Sequence, residues 1–81
     1  MNEGLAQLTE KEREALRLLL AGHDAKSIAA ELGVSVHTIN DRLRNARRKL
    51  GVSSSREAAR ILGDAEKGTP QSLAHKNLGM A

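Results

Sequence analysis

Apolar residues along this chain recur at helical spacing in four stretches, each closed by a glycine. The first opens at Thr9-Glu10-Lys11-Glu12, a T-x-x-E box in which the hydroxyl accepts from the amide three residues on and the glutamate reaches back. Ala15, Leu16, Leu19 and Leu20 carry the apolar spacing forward and Gly22 stops it, which predicts a helix over 10–21. Asp24 caps a second helix over 25–32, with Ile28, Ala29 and Leu32 turned inward. Only Gly33 and Val34 separate it from Ser35, the cap of a third helix over 36–50. Along that helix Ile39, Leu43, Ala46 and Leu50 share one face, and Gly51 ends it. Ser54 and Glu57 make a second capping box for a helix over 55–62, with Ala58, Ile61 and Leu62 on its apolar edge and Gly63 as its stop.

The resulting expectation is an all-α, four-helix domain over 8–63. Residues 1–7 are expected to be a flexible lead-in, because Gly4 disfavours early helix. Residues 64–81 are expected to be a flexible tail or linker: Gly68, Thr69-Pro70 and Ser72 interrupt any period, and Leu73 and Leu78 have nothing to bury against. The tight glycine turn between the second and third helices is a helix-turn-helix arrangement.

At 81 residues the chain is one small domain with a thin core. It has no Cys, which excludes disulfide staples and thiolate metal sites. It also has no Phe, Trp or Tyr. That excludes single-strand binders that stack bases on aromatic platforms, and aromatic grooves for proline-rich peptides. The longest apolar run, Leu18–Ala21, is far short of the ~20 residues that span a bilayer. With no signal peptide at the N-terminus, a cytoplasmic, nucleoid-associated location is expected. Membrane tethering would require that the chain be a fragment of a longer protein.

Charge is placed unevenly. Lys and Arg number 13 against 10 Asp and Glu, a net +3. Residues 1–34 are net −2, residues 53–81 net +1, and residues 35–52 net +4, with Arg42, Arg44, Arg47, Arg48 and Lys49 opposed by Asp41 alone. Such a concentrated basic segment points to an anionic partner. On a helical wheel His37, Asn40, Asp41, Arg44, Arg47 and Arg48 lie opposite the apolar stripe of the third helix. Arginines there neutralise phosphates and release counterions, giving affinity without sequence information. Arg44 can also fork onto guanine O6 and N7, and Asn40 can bond adenine N6 and N7. Asp41 is unfavourable beside phosphates unless it meets a base donor such as cytosine N4; as an alternative it pairs with Arg44 one turn on. An arginine-rich solvated helix face is common by itself. This one lies on the second helix of a helix-turn-helix, the element that enters a major groove.

Other chemistry finds no support. His23, His37 and His75 lack metal-ligand spacing. Ser53, Ser54 and Ser55 are a cap cluster without a base to make one a nucleophile. No enzyme activity, metal, cofactor or small-molecule ligand is expected.

Three segments carry a family resemblance: Leu8-Thr9-Glu10-Lys11-Glu12-Arg13-Glu14, Lys26 to Ser35, and His37-Thr38-Ile39 through Arg48-Lys49-Leu50-Gly51-Val52. In order, spacing and glycine stops the chain from Leu8 to about Leu62 resembles the LuxR/GerE-type helix-turn-helix domain of bacterial transcription regulators. The resemblance implies a third helix in the major groove, with base contacts from Asn40, Asp41 and Arg44. It implies phosphate contacts from Lys26, Thr38 and Lys49, to which the wheel adds Arg47 and Arg48. It further implies a fourth helix that pairs two domains, through Arg56, Ala59, Arg60 and Gly63 on a face expected to be exposed. The chain departs from the family pattern at Arg42, usually His, at Ala46, usually a larger aliphatic, and at Arg47, often aromatic or bulky and apolar.

The expected partner is double-stranded DNA, bound as a homodimer by a chain that is monomeric when free; RNA polymerase is a further candidate partner. Two rival readings stand beside this one. A module like region 4 of sigma factors would share the tight turn and basic helix and read a promoter as a monomer. A protein-interaction module on the same fold would draw on the low total charge and on Asp41.

Overall fold

Side-chain caps decide where each helix begins. The computed structural model describes residues 3–67. Within them a 3-10 turn, Glu3–Gln7, precedes helices α1 (Glu10–Leu20), α2 (Ala25–Leu32), α3 (Val36–Leu50) and α4 (Ser55–Lys67), with no strand among the described residues. Thr9 and Glu12 form both halves of the expected box: the Glu12 amide donates to Thr9 Oγ1 at 3.1 Å, and the Thr9 amide donates to Glu12 Oε1 at 3.0 Å. Asp24 Oδ1 accepts from the Ser27 amide at 2.8 Å, Ser35 Oγ from Thr38 at 3.0 Å, and Ser54 Oγ from Glu57 at 3.3 Å. Satisfying first-turn amides in this way contributes about 1 kcal/mol per cap.

Glycine ends α2 and α3 for a backbone reason. Gly33 and Gly51 sit in the left-handed region, at φ 69° and 71°. The next amides, Val34 and Val52, each donate back to a carbonyl five residues earlier, Ala29 and Arg47, at 3.0 Å. Both valines then pack partly against the core, as a Schellman closure requires.

The core is wholly aliphatic. Leu16, Ile28 and Ile39 are its largest fully buried side chains, and Leu8, Leu43, Leu50 and Leu62 surround them. Ala15, Ala46, Ala58 and Ala59 are buried among them, small enough to let neighbouring helices approach closely. The four-residue stripe read on α3 is buried throughout. α1 packs on α3 and α4, and α2 on α3.

Three boundaries differ from the sequence expectation. The lead-in is structured from Glu3: the 3-10 turn buries Gly4, and Arg13 Nη2 donates to the Leu5 carbonyl at 3.0 Å. Leu5 and Leu8 reach the core because residues three apart share a face in such a turn. Helix α1 ends at Leu20 with Ala21 as its cap, one residue before the expected end. Helix α4 runs through Gly63 to Lys67, so residues 64–67 are helical rather than tail. Gly63 serves here by lacking a Cβ, since a Cβ at this position would press on Leu20 Cδ2. The extended end is held by Arg17, whose Nε and Nη2 donate to Glu66 at 2.7–3.2 Å while Nη1 donates to Glu10 at 3.3 Å. The tail expectation for residues 68–81 lies outside the described residues.

One ion pair stands out. Glu12 is 5% exposed, and the Oε1 that accepts from Thr9 also accepts from Lys49 Nζ at 2.8 Å. Burial pushes this carboxyl up, but the Lys49 ammonium and the Thr9 amide and hydroxyl outweigh burial and hold it below its ordinary value of 4.5. A lowered folded value means stabilisation fully present above pH 4.5 and lost as pH falls through the folded value.

Replacing Lys49 with Met is therefore expected to strand a buried carboxylate. The cost is about 2 kcal/mol, a fall in Tm on the order of 10 °C by calorimetry. The same variant should lose less stability than the parent between about pH 6 and about pH 3 in urea titrations, because its Glu12 no longer has a lowered value to forfeit. Gly63→Ala has the opposite expected sign. Alanine is about 1 kcal/mol better in a helix. Leu20 is 51% exposed, so its end can swing aside, and the net gain should be about 0.5 kcal/mol in the urea midpoint. A loss larger than that gain would mean the approach of α1 to α4 is rigid.

Candidate nucleic-acid interface

With Ile39, Leu43, Ala46 and Leu50 fixed inward, the opposite face of α3 is turned to solvent. His37, Asn40, Arg44 and Arg48 are exposed on it and Asp41 is half-buried among them. Asp41 lies between a guanidinium and an imidazole: Oδ1 is 3.4 Å from Arg44 Nη1, and Oδ2 is 3.4 Å from His37 Nε2. The structure therefore joins Asp41 to Arg44, as the sequence allowed, and adds His37, whose i,i+4 spacing to Asp41 was the available signal.

At the start of α3, Ser35 Oγ donates to Thr38 Oγ1 at 3.0 Å while accepting from the Thr38 amide. The Thr38 hydroxyl thus has its acceptor side engaged and its own proton free to donate outward. Val36 is exposed beside it. Lys26 is exposed on the first turn of α2. Among the described residues, neither Lys26 nor Arg48 has an ion-pair partner.

Two expected phosphate ligands are engaged inside the protein. Lys49 points to α1, where it pairs with Glu12 and is only 22% exposed in its side chain. Lys49 is therefore engaged as a structural cation between α1 and α3. Arg47 is half-buried and its Nη1 donates to Ser55 Oγ at 2.6 Å, tying the end of α3 to the start of α4. Its remaining N–H groups are still available. No sequence signal marked the Arg47–Ser55 bond, since a loop separates the two residues.

The expected pairing face on α4 is also corrected. Arg56 and Arg60 are exposed, but Ala59 is buried in the core and Gly63 faces Leu20. Packing of α4 on α1 turns the 59/63 edge inward, which periodicity alone did not reveal. Glu57 and Asp64 join the two arginines on the exposed surface.

Among the described residues no group of three His, Asp or Glu side chains is placed to hold a metal ion. No described helix is long and apolar enough to cross a membrane.

Two short-linked helices, the second presenting a polar and cationic face over a buried aliphatic stripe, define a helix-turn-helix domain of the DNA-binding class. Residues 6–62 match the GerE family, bacterial regulatory proteins of the luxR family, and the chain belongs to it. Over 55 residues, 68% of this chain, it is 46% identical to the transcriptional regulatory protein YdfI of Bacillus subtilis, covering 26% of that protein. Over 57 residues, 70% of this chain, it is 44% identical to the transcriptional regulatory protein UhpA of Escherichia coli, covering 29% of it. The spore germination protein GerE of Bacillus subtilis is 41% identical over 51 residues, 63% of this chain and 69% of GerE. The chain thus corresponds to little more than a quarter of YdfI and UhpA.

Proposed function

We propose that this domain binds duplex DNA in a sequence-specific manner, with α3 in the major groove, as the reading head of a transcription regulator. The observation that carries the proposal is the division of α3 into a fully buried stripe and an exposed row of Asn40, Arg44 and Arg48 with Asp41 set among them. Side chains of that kind on a groove-sized helix reach base edges. Arg44 forks onto guanine, Asn40 addresses adenine, and Asp41 accepts from an amino group.

Phosphates on either side of the groove fall to Lys26, Arg48, the remaining donors of Arg47, and the outward proton of Thr38. Lys49 takes no part. Two domains pair through the exposed side of α4, where Arg56 and Arg60 of one copy can face Glu57 and Asp64 of another across a two-fold axis. This surface is polar and small, so pairing forms on an inverted repeat with half-sites about one helical turn apart.

Selection from a random duplex pool, followed by titration of the winner against scrambled DNA at several salt concentrations, tests this reading. A palindromic winner is expected. With roughly three cations per domain on phosphates, the log–log salt slope should be about −2.7 for one domain and about −5.4 for a pair. Arg44→Ala should lose roughly 1–3 kcal/mol of preference at one base pair, and Arg48→Ala should weaken all duplexes alike and reduce the slope by about 0.9 per bound domain. Equal, weak binding to every duplex would overturn the proposal in favour of a protein partner. A single asymmetric winner would overturn the paired arrangement.

A further inference from the structure

We propose that His37, Asp41 and Arg44 act as one reading unit, in which the Asp41 carboxylate holds Arg44 ready for guanine and makes binding conditional on a base amino group beside it. The inference rests on the placement of α3 in the major groove and goes beyond it by giving the acidic residue on that face a role in selectivity.

The geometry supplies the unit. Asp41 directs one oxygen to Arg44 and the other to His37, both at 3.4 Å, so its partners lie one turn after and one turn before it. Its side chain is 44% exposed, against 67% for Arg44 and 84% for His37. In water such pairs are weak, because solvent competes for every member and long side chains lose freedom on pairing. Inside a groove the balance changes. Water is displaced, and a carboxylate left without a donor among phosphates and base carbonyls is penalised for its desolvation.

Two consequences follow for recognition. A free guanidinium on this face would turn to the nearest phosphate, which gives affinity but carries no sequence information. Bonded through Nη1 to Asp41, Arg44 keeps its planar fork on the groove side, so less side-chain freedom is lost when it meets guanine O6 and N7. The lone pairs that remain on Asp41 need a donor, and in the major groove that donor is a base amino group, with cytosine N4 the acceptor's usual match. A site that lacks it leaves those lone pairs desolvated without a donor and is rejected. His37 is a positioning residue: it braces the far oxygen of Asp41 and so fixes the direction of the near one.

All three side chains are substantially exposed, so their replacement should leave the fold intact, as far-UV circular dichroism and thermal melts of each variant will show. The test compares affinity for the selected duplex and for a scrambled duplex across the parent, Asp41→Ala, Arg44→Ala, the double variant, His37→Ala and His37→Gln. Asp41→Ala is expected to cut the preference about tenfold, losing affinity for the selected duplex and keeping or gaining it for scrambled DNA. The salt slope on scrambled DNA should steepen by about 0.9 as Arg44 becomes a phosphate ligand. Effects at 41 and 44 should be non-additive on the selected duplex, where Asp41 positions Arg44, and the steeper slope on scrambled DNA should disappear in the double variant, because it requires Arg44. His37→Ala should lower preference about two- to threefold, the scale of a single helix-surface pair, with His37→Gln restoring it.

If Asp41→Ala instead raises affinity for both duplexes by one factor, or if positions 41 and 44 are additive on the selected duplex, the unit is overturned while the major-groove reading stands. A parent chain without any sequence preference would overturn both.

Discussion

One carboxylate oxygen links the two ends of this structure that matter most. Glu12 Oε1 accepts from the Thr9 amide that opens α1 and from the Lys49 ammonium that closes α3. The cap at the start of one helix is thereby bonded to the last turn of another. In a chain with no aromatic residue and a core of Leu, Ile and Ala, dispersion and apolar burial leave little surplus over conformational entropy. A buried polar network with every member satisfied supplies what such a core lacks, a fixed relation between elements. Helix α1 extends that relation to α4 through Arg17 and Glu66, and through the close approach of Leu20 to Gly63. The exposed face of α3 is presented at a defined angle because α1 is bonded at its start to the end of α3 and along its length to α4.

This arrangement changes how the basic segment is understood. Its net +4 is a property of residues 35–52 as a string. In space the charges divide. Lys49 is neutralised by Glu12, Arg47 is bonded to Ser55, and Arg44 is paired with Asp41. Half-buried Arg42, exposed Arg48 and, from α2, exposed Lys26 remain without ion-pair partners among the described residues. The face is therefore less a positive patch than a patterned one, with a carboxylate at its centre. Non-specific attraction scales with the number of free cations, so a surface of this kind favours discrimination over raw affinity.

What could be read from the sequence, and what could not, follows the range of each interaction. The caps at Thr9, Asp24 and Ser35 and the stops at Gly33 and Gly51 act within a few residues, and the structure keeps them where local chemistry puts them. The apolar stripe of α3 is also local, being set by helical period alone. Gly63 shows where that logic fails. At Gly33 and Gly51 glycine is needed for positive φ, whereas Gly63 lies inside α4 with the end of Leu20 packed where a Cβ would sit, so the helix continues. Composition cannot separate these two uses. The burial of Ala59 and the Lys49–Glu12 pair are hidden from the sequence for the same reason. Ala59 and Lys49 each sit at the border of a helical face, and only the packing angle of α4, or the presence of Glu12 across the interface, decides which way the side chain goes.

The 3-10 turn before α1 makes the complementary point. Gly4 argues against helix by propensity, and by that measure residues 1–7 should stay loose. Propensity is worth about 1 kcal/mol, however, while burying a leucine is worth roughly 1.5–3 kcal/mol. Leu5 and Leu8, three apart, gain that burial together only if the chain winds tightly enough to place them on one side. Leucine burial therefore sets the conformation, and Arg13 secures it by donating to the Leu5 carbonyl. The same ordering of magnitudes operates at Glu12: desolvation alone would favour its neutral form, and the cation and cap that share its oxygen outweigh that cost. In both places a local preference yields to a partner several residues or a whole helix away. Those partners join α1 to the segment before it and to α3, and so determine where the exposed face of α3 points.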